Sequence, residues 1–403
     1  MSLDLLNTKG TPPEKQILTW REMVRAPISK LDVDAFTRIR VILMNGIEME
    51  ALTFSHACAR MNRELQPHLA LIRRAEQHQA TAVNWILPSD QSPIETTIAY
   101  EQVAVEITAA VGRREPDPYL QQVYKFGLLE DFDHLYRYTA LLDRLEGKDS
   151  NNILQSYTDI HPGRPTVDEH RHPLDDLRNP YDKRNATAVT KMNALTIMAA
   201  EQQTHNYYMN IGPLFSDPIA RQLYAEIASV EEQHVTQYES IIDPTETWME
   251  KWLMHEANEA YNYWSCVETE SDPKVKALWE RFLDYELGQL QVVSELFKKY
   301  ENRDPAEVLG TKVPEPIPYS PQRDYVRSIL DEVSIRADGP NFVTQDREPQ
   351  RSLDYRAALN ADGNPSEAIS EGYVWSPGGE LARRAEKKPM MQHKLAVEKG
   401  AHV

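Results

Sequence analysis

Apolar side chains recur every three or four residues through most of the first 300 positions, the spacing that gathers them on one face of an α-helix. In 33–62 the stripe is Phe36, Ile39, Ile42, Leu43, Ile47, Met49 and Leu52, and after Pro67 a second periodic segment runs to about Leu87. Similar pairs of periodic segments occupy 93–146, 187–242 and 245–300. The chain to residue 300 therefore reads as four helical hairpins. No stretch shows a convincing strand pattern, and the expected fold class is all-α.

The segments between and beyond the hairpins have a different character. Residues 1–31 form an irregular N-terminal arm, and 147–186 are rich in Pro, Asp, Asn and His, including His161-Pro162-Gly163-Arg164-Pro165 and His170-Arg171-His172-Pro173. A connection that long and that broken by Pro suits a crossover between hairpins, as in ferritin-like four-helix bundles. The expected layout is one helical domain over 32–300, with a bundle at 93–242 that includes the crossover 147–186. Extra hairpins at 32–88 and 245–300 flank it. Residues 301–403 open with Pro314, Pro316, Pro318 and Pro321, show helical candidates only near 351–360 and 379–398, and read as a wrapping or assembly tail. His161, His170 and His172 are expected at the surface.

A chemical pattern is superimposed on the hairpins. Glu101…Asp131-x-x-His134, Glu201…Glu231-x-x-His234 and Glu256…Glu286-x-x-Gln289 each place two carboxylates thirty residues apart. Midway stand Asp117-Pro118, Asp217-Pro218 and Asp272-Pro273. Asp is a favoured N-cap and Pro a favoured first helical residue. Each carboxylate thus lies about 22 Å from its turn at 1.5 Å per residue, level with its partner on the antiparallel neighbour. The first two copies align without a gap over 38 residues and share nine identities, among them Gln102/Gln202, Gly112/Gly212, Gln122/Gln222, Tyr124/Tyr224 and Tyr138/Tyr238. Chance would give roughly two or three, so the copies read as an internal repeat. In the first hairpin Glu50 stands at a comparable height, but the position thirty residues on is Ala80, and no site chemistry is expected there. Gln289 in place of His makes the third copy, with Glu256, Glu259 and Glu286, read as decayed.

Copies one and two would aim Glu101, Asp131, Glu201 and Glu231 into one bundle, with His134 and His234 on the same helical faces as their carboxylates. Oxygen and imidazole donors without thiolate suit iron or manganese. The stretches Ala200-Glu201-Gln202-Gln203-Thr204-His205-Asn206-Tyr207-Tyr208 and Ala225-Glu226-Ile227-Ala228-Ser229-Val230-Glu231-Glu232-Gln233-His234, with Tyr238 beyond, resemble the second half of a rubrerythrin-type member of the ferritin-like di-iron carboxylate superfamily. The resemblance is good over 186–242 and weaker over 93–146. It implies a binuclear iron site, with Mn or a mixed Fe/Mn pair as variants, whose metal ligands are Glu101, Asp131, His134, Glu201, Glu231 and His234. Asp131 stands where the family has Glu, and its shorter side chain suits terminal binding of one metal; Glu130 points about 100° away and is a poorer ligand. Thr204 replaces a further family carboxylate, and the rubredoxin-like Cys₄ module is missing. His205, Tyr138 and Tyr238 are candidates for a supporting role beside the metals.

The formal charge of −18 and pI near 5.2 argue against nucleic acid or an anionic membrane as partner. Cys58 and Cys266 offer neither a disulfide framework nor a metal knuckle, and a reduced, cytoplasmic setting is expected. No apolar run approaches the ~20 residues needed to cross a bilayer. These readings converge on a di-iron oxidoreductase that activates O₂ or peroxide for oxidation of a small-molecule substrate, with an external electron donor and a homo-oligomeric state. The alternatives are a ferroxidase or iron-handling protein, and a metal-free helical interaction protein.

Overall fold

The computed structural model describes residues 3–163, 170–310, 312–331, 335–338, 341–344 and 348–381. Eight long helices carry the architecture: α1 (Ala35–Met61), α2 (Gln66–Asn84), α3 (Pro93–Arg114), α4 (Pro118–Glu146), α5 (Ala188–Ile211), α6 (Pro218–Ser240), α7 (Trp248–Thr269) and α8 (Pro273–Glu301). They pack as the four expected antiparallel pairs, α1 with α2, α3 with α4, α5 with α6 and α7 with α8. The local reasons are written at the helix starts. Asp117, Asp217 and Asp272 each accept backbone N–H bonds as N-caps in front of a Pro. Ser92 with Glu95, and Thr247 with Glu250, close reciprocal capping boxes on α3 and α7. At the far end of α4, Gly147 takes the left-handed φ of 61° that terminates a helix cleanly.

Helices α1, α3, α5 and α7 form an inner layer, in which α1 packs on α3, α5 and α7, and α5 packs on α3 and α7. The α3–α6 quartet therefore sits back to back with a second quartet, α1, α2, α7 and α8. Helix α3 is buried on nearly every face, which explains why its sequence lacks a polar stripe. The two quartets meet closely where α1 crosses α5. Gly46 leaves room for Gln203, whose amide nitrogen donates to Ile42 O at 2.7 Å and whose amide oxygen accepts from Asn45 at 2.9 Å. A Cβ at position 46 would stand 2.7 Å from that amide nitrogen.

The described parts of the two arms are tied to the helices. The N-terminal arm buries Leu5, Leu18 and Met23 and hydrogen-bonds to Asp284 on α8 through Thr11. Beyond α8, the Pro-rich stretch runs along α3 and α7, where Arg114 donates to Pro316 O, Tyr261 to Glu315 O, and Ile317 N to Ser265 Oγ. A short helix, Arg323–Leu330, then packs Val326 and Ile329 on Leu128, Leu129 and Phe132 of α4. The helix expected near 351–360 is present as Gln350–Leu359, and Pro365–Ser370 packs on α4 and α6. The expected absence of strands needs one correction: Ile335–Asp338 and Asn341–Thr344 pair as a small antiparallel hairpin within the tail. The candidate helix at 379–398 lies almost wholly outside the described residues. No described helix is long and apolar enough to cross a membrane, and both cysteines are free and buried.

One polar clasp fixes where the tail leaves α3. Glu106 accepts from Thr158 Oγ1 at 2.7 Å and from Gln322 N at 2.8 Å. Burial pushes its carboxyl up to about 7, so the folded state holds it neutral at acidic pH. Because the folded value lies above the unfolded one, its stabilising contribution is complete at low pH and is lost as pH rises through about 7. Glu106→Gln keeps a donor for Thr158 and an acceptor for Gln322 without the charge. The stability difference between variant and wild type should shift in the variant's favour by about 2–3 kcal/mol between pH 5 and pH 8. Urea midpoints at the two pH values check this, and a difference independent of pH would refute it.

Candidate metal centre

Inside the α3–α6 quartet, all six residues singled out by the repeat come together. Glu101, Asp131, His134, Glu201, Glu231 and His234 are at most 1% exposed. Their donor atoms fall into two groups, Asp131, Glu201, Glu231 and His234 in one, and Glu101, His134 and Glu231 in the other, each within 4.8 Å. Glu231 belongs to both. Its Oε1 lies 3.1 Å from His134 Nδ1, and its Oε2 lies 3.2 Å from His234 Nδ1. The two imidazoles are stacked with centroids 6.0 Å apart. Asp131 stands in the first group alone, at 3.2 Å from His234 Nδ1.

Electrostatics oppose simultaneous ionisation of this cluster unless a cation lies in it. Among the described residues no Lys or Arg pairs with Glu101, Asp131, Glu201 or Glu231. Among the described residues both oxygens of Asp131 and of Glu201, and Oε2 of Glu101, lack a hydrogen-bonding partner, and the cationic group facing those of Asp131 and Glu201 is the His234 imidazole, at 3.2 and 3.5 Å. Burial, reinforced by the Glu201 charge, pushes the Asp131 carboxyl up to about 7. Burial pushes that of Glu231 up to about 8 and holds that of Glu101 well above the usual carboxylate range. Burial opposes protonation of His234, but the neighbouring Asp131 and Glu201 charges outweigh it and raise its pKa. Such groups ionise together only if a cation lies among them. The orphaned oxygens and the two imidazoles fit that requirement.

Surrounding side chains hold the donors in place, and several were not legible in the repeat. Glu130 is fully buried: its Oε2 accepts from His234 Nε2 at 2.8 Å, and its Oε1 pairs with Arg171 Nη1 at 2.5 Å. It was expected to be a poor ligand, and its place is behind the imidazole. Because a carboxylate accepts, Nε2 carries the proton and Nδ1 is left toward the cluster. Arg171 also binds Asp176 at 2.9 Å and lies over the Phe126 ring. The crossover therefore reaches the site. His170 is correspondingly buried against Glu226, contrary to its expected surface place, whereas His161 is exposed and His172 half-buried.

Of the supporting candidates, His205 turns to the Ala228 carbonyl at 2.9 Å and faces the outside of α6, away from the two groups. Tyr238 is buried with its ring 6.3 Å from that of His234. Tyr138 packs against Tyr208 and Tyr224. The hydroxyl that reaches a site carboxylate is that of Tyr208, donating to Glu101 Oε1 at 2.5 Å. Its signal in the sequence was its match with Tyr263 in the third copy. Thr204 donates back to Ala200 O.

Two acidic residues missed by the thirty-residue rule enter a separate cluster. Glu48 on α1 and Glu76 on α2 are buried with Glu256, Glu259 and Glu286. The first hairpin, expected to lack site chemistry, thus supplies two carboxylates and Gln79, which the Glu50/Ala80 register did not find.

Compared with protein-family models, curated proteins and solved structures, the chain matches none. Arg171→Ala would remove the cation hydrogen-bonded to both Glu130 and Asp176, and breaking a buried pair of this kind typically costs about 3–5 kcal/mol. Chemical denaturation should show that loss, and a variant of wild-type stability would mean that Arg171 is not the counter-charge.

Proposed function

We propose that the α3–α6 quartet is a binuclear metal centre, with iron favoured, and that the protein is an oxidoreductase using O₂ or peroxide on a small-molecule substrate. The observation that carries the reading is Glu231, whose two oxygens each face a different histidine, as a carboxylate shared between two ions would. Imidazole and carboxylate donors without a thiolate favour iron or manganese. The quartet, its long crossover and the Glu-x-x-His on α6 support a ferritin-like, rubrerythrin-type relationship.

The chain's own part in such chemistry follows from the contacts. His134 and His234 each anchor one end of the centre. Glu130 and Arg171 fix the ring of His234 and its tautomer, and Tyr208 fixes one oxygen of Glu101 while leaving the other toward the site. Complete burial keeps bulk water away, which strengthens every electrostatic contact inside. When bound, two iron ions would supply the electrons for reducing O₂ or peroxide. With both cysteines buried and far apart in sequence, those electrons are to be replaced by a separate donor.

Elemental analysis after anaerobic loading with ferrous iron tests the reading. Glu231→Ala/His234→Ala should lose about two iron equivalents relative to wild type, keep its helical circular dichroism, and no longer consume O₂ on exposure to air. Equal and negligible iron in both proteins would remove the proposal. Uptake of many irons per chain would replace it with storage.

A further inference from the structure

The second quartet has its own concentration of buried charge. Glu48, Glu76, Glu256, Glu259 and Glu286 are each at most 2% exposed, and donor atoms of Glu48, Glu259 and Glu286 lie within 4.8 Å of one another. Neutral side chains donate to one side of this cluster. Tyr263 donates to Glu48, Trp252 Nε1 to Glu256 Oε1 at 2.7 Å, and Gln79 Nε2 to Glu48 Oε1 at 3.1 Å and to Glu286. Gln289 Nε2 approaches Glu286 Oε1 at 3.4 Å.

What these donors leave open is informative. The Oε2 atoms of Glu48, Glu76, Glu256 and Glu286, and both oxygens of Glu259, have no hydrogen-bonding partner among the described residues. Glu259 is thus a side chain at 1% exposure, aimed into the cluster, with nothing to satisfy it. The amide oxygens of Gln79 and Gln289, two uncharged groups at 0% exposure, are also without a donor. Oxygens of Glu48, Glu259 and Glu286 therefore meet with acceptors still unmet among them, and it is the NH₂ groups of the two glutamines, not their oxygens, that face Glu48 and Glu286. The charge of Arg73 acts on Glu76, but its guanidinium turns to Ser55. A buried acceptor left unmet is costly, and for several at once one cation is the economical partner.

The layout parallels the first site. Glu76-x-x-Gln79 on α2 and Glu286-x-x-Gln289 on α8 repeat the spacing of Asp131-x-x-His134 and Glu231-x-x-His234, with amides where the imidazoles stand. Tyr263 on α7 serves Glu48 as Tyr208 on α5 serves Glu101. A half-turn of either amide would exchange its NH₂ for its oxygen. We infer that α1, α2, α7 and α8 hold a second cation site, built from Glu48, Glu259 and Glu286 with Glu76, Glu256 and the two glutamines around them. Its donors are all oxygen, so it takes a hard divalent cation of the Mn²⁺, Mg²⁺ or Ca²⁺ class. This inference is independent of the redox reading of the α3–α6 quartet, and each can fail alone.

Mn²⁺ is the probe, and the full-length chain stripped by chelator is the sample. Glu259→Gln/Glu286→Gln should lose about one Mn²⁺ equivalent relative to wild type while retaining the iron loading of the first site. In the converse variant, Glu231→Ala/His234→Ala, Mn²⁺ should still bind and still raise the melting temperature. Equal Mn²⁺ stoichiometry in wild type and Glu259→Gln/Glu286→Gln would overturn the inference. Should that variant not fold, the converse variant decides: no bound Mn²⁺ and no thermal shift at millimolar Mn²⁺ would overturn it equally.

Discussion

Like charges removed from water are the constraint on which this structure turns. In each quartet, carboxylates from four helices meet at a depth where isolated ionised groups are strongly disfavoured. Everything near them answers that problem. Tyr208, Tyr263, Trp252 and Gln79 donate to single oxygens from behind, and Glu130 with Arg171 braces an imidazole. The remaining oxygens are left facing one another. Long, well-capped helices suit this task, because a carboxylate held at the midpoint of a buried helix cannot swing out to solvent.

The same logic extends to the segments outside the helices. The crossover and the C-terminal arm are attached largely through polar bonds to buried acids. Gln322 N meets Glu106, Ser366 meets Glu226, and Arg351 with Ser352 meets Asp175. A hydrophobic anchor tolerates sliding, whereas a donor that completes a buried carboxylate fixes position to within a bond length. The irregular composition of these segments thus coexists with a defined path over α3, α4 and α6.

Much of this was legible in the amino-acid order, for identifiable reasons. Asp-Pro pairs act locally, so the turns before α4, α6 and α8 could be read directly, and the gapless repeat carried Glu101 through His234 to one height. Glu48 and Glu76 escaped because their hairpin turns through Asn62 and a short 3-10 segment, which makes their separation twenty-eight residues rather than thirty. Glu130 was set aside by helical angle alone. A helical wheel knows one helix, and here His234 on α6 and Arg171 from the crossover approach α4 from another side. Arg171 itself lies in a Pro-broken segment, where no periodicity announces burial, and the tail hairpin of two four-residue strands is too short to show a strand pattern.

The crossing of α1 and α5 at Gly46 and Gln203 bears on how the molecule is partitioned. Gln203 lies two residues from Glu201, and Gly46 two residues from Glu48, so one interlocked contact stands beside both carboxylate clusters. Pulling the quartets apart would strip Gln203 of its partners and expose the inner layer along its length. Although each quartet has the outline of a module, the contact at Gly46 and Gln203 ties the surroundings of one carboxylate cluster to those of the other.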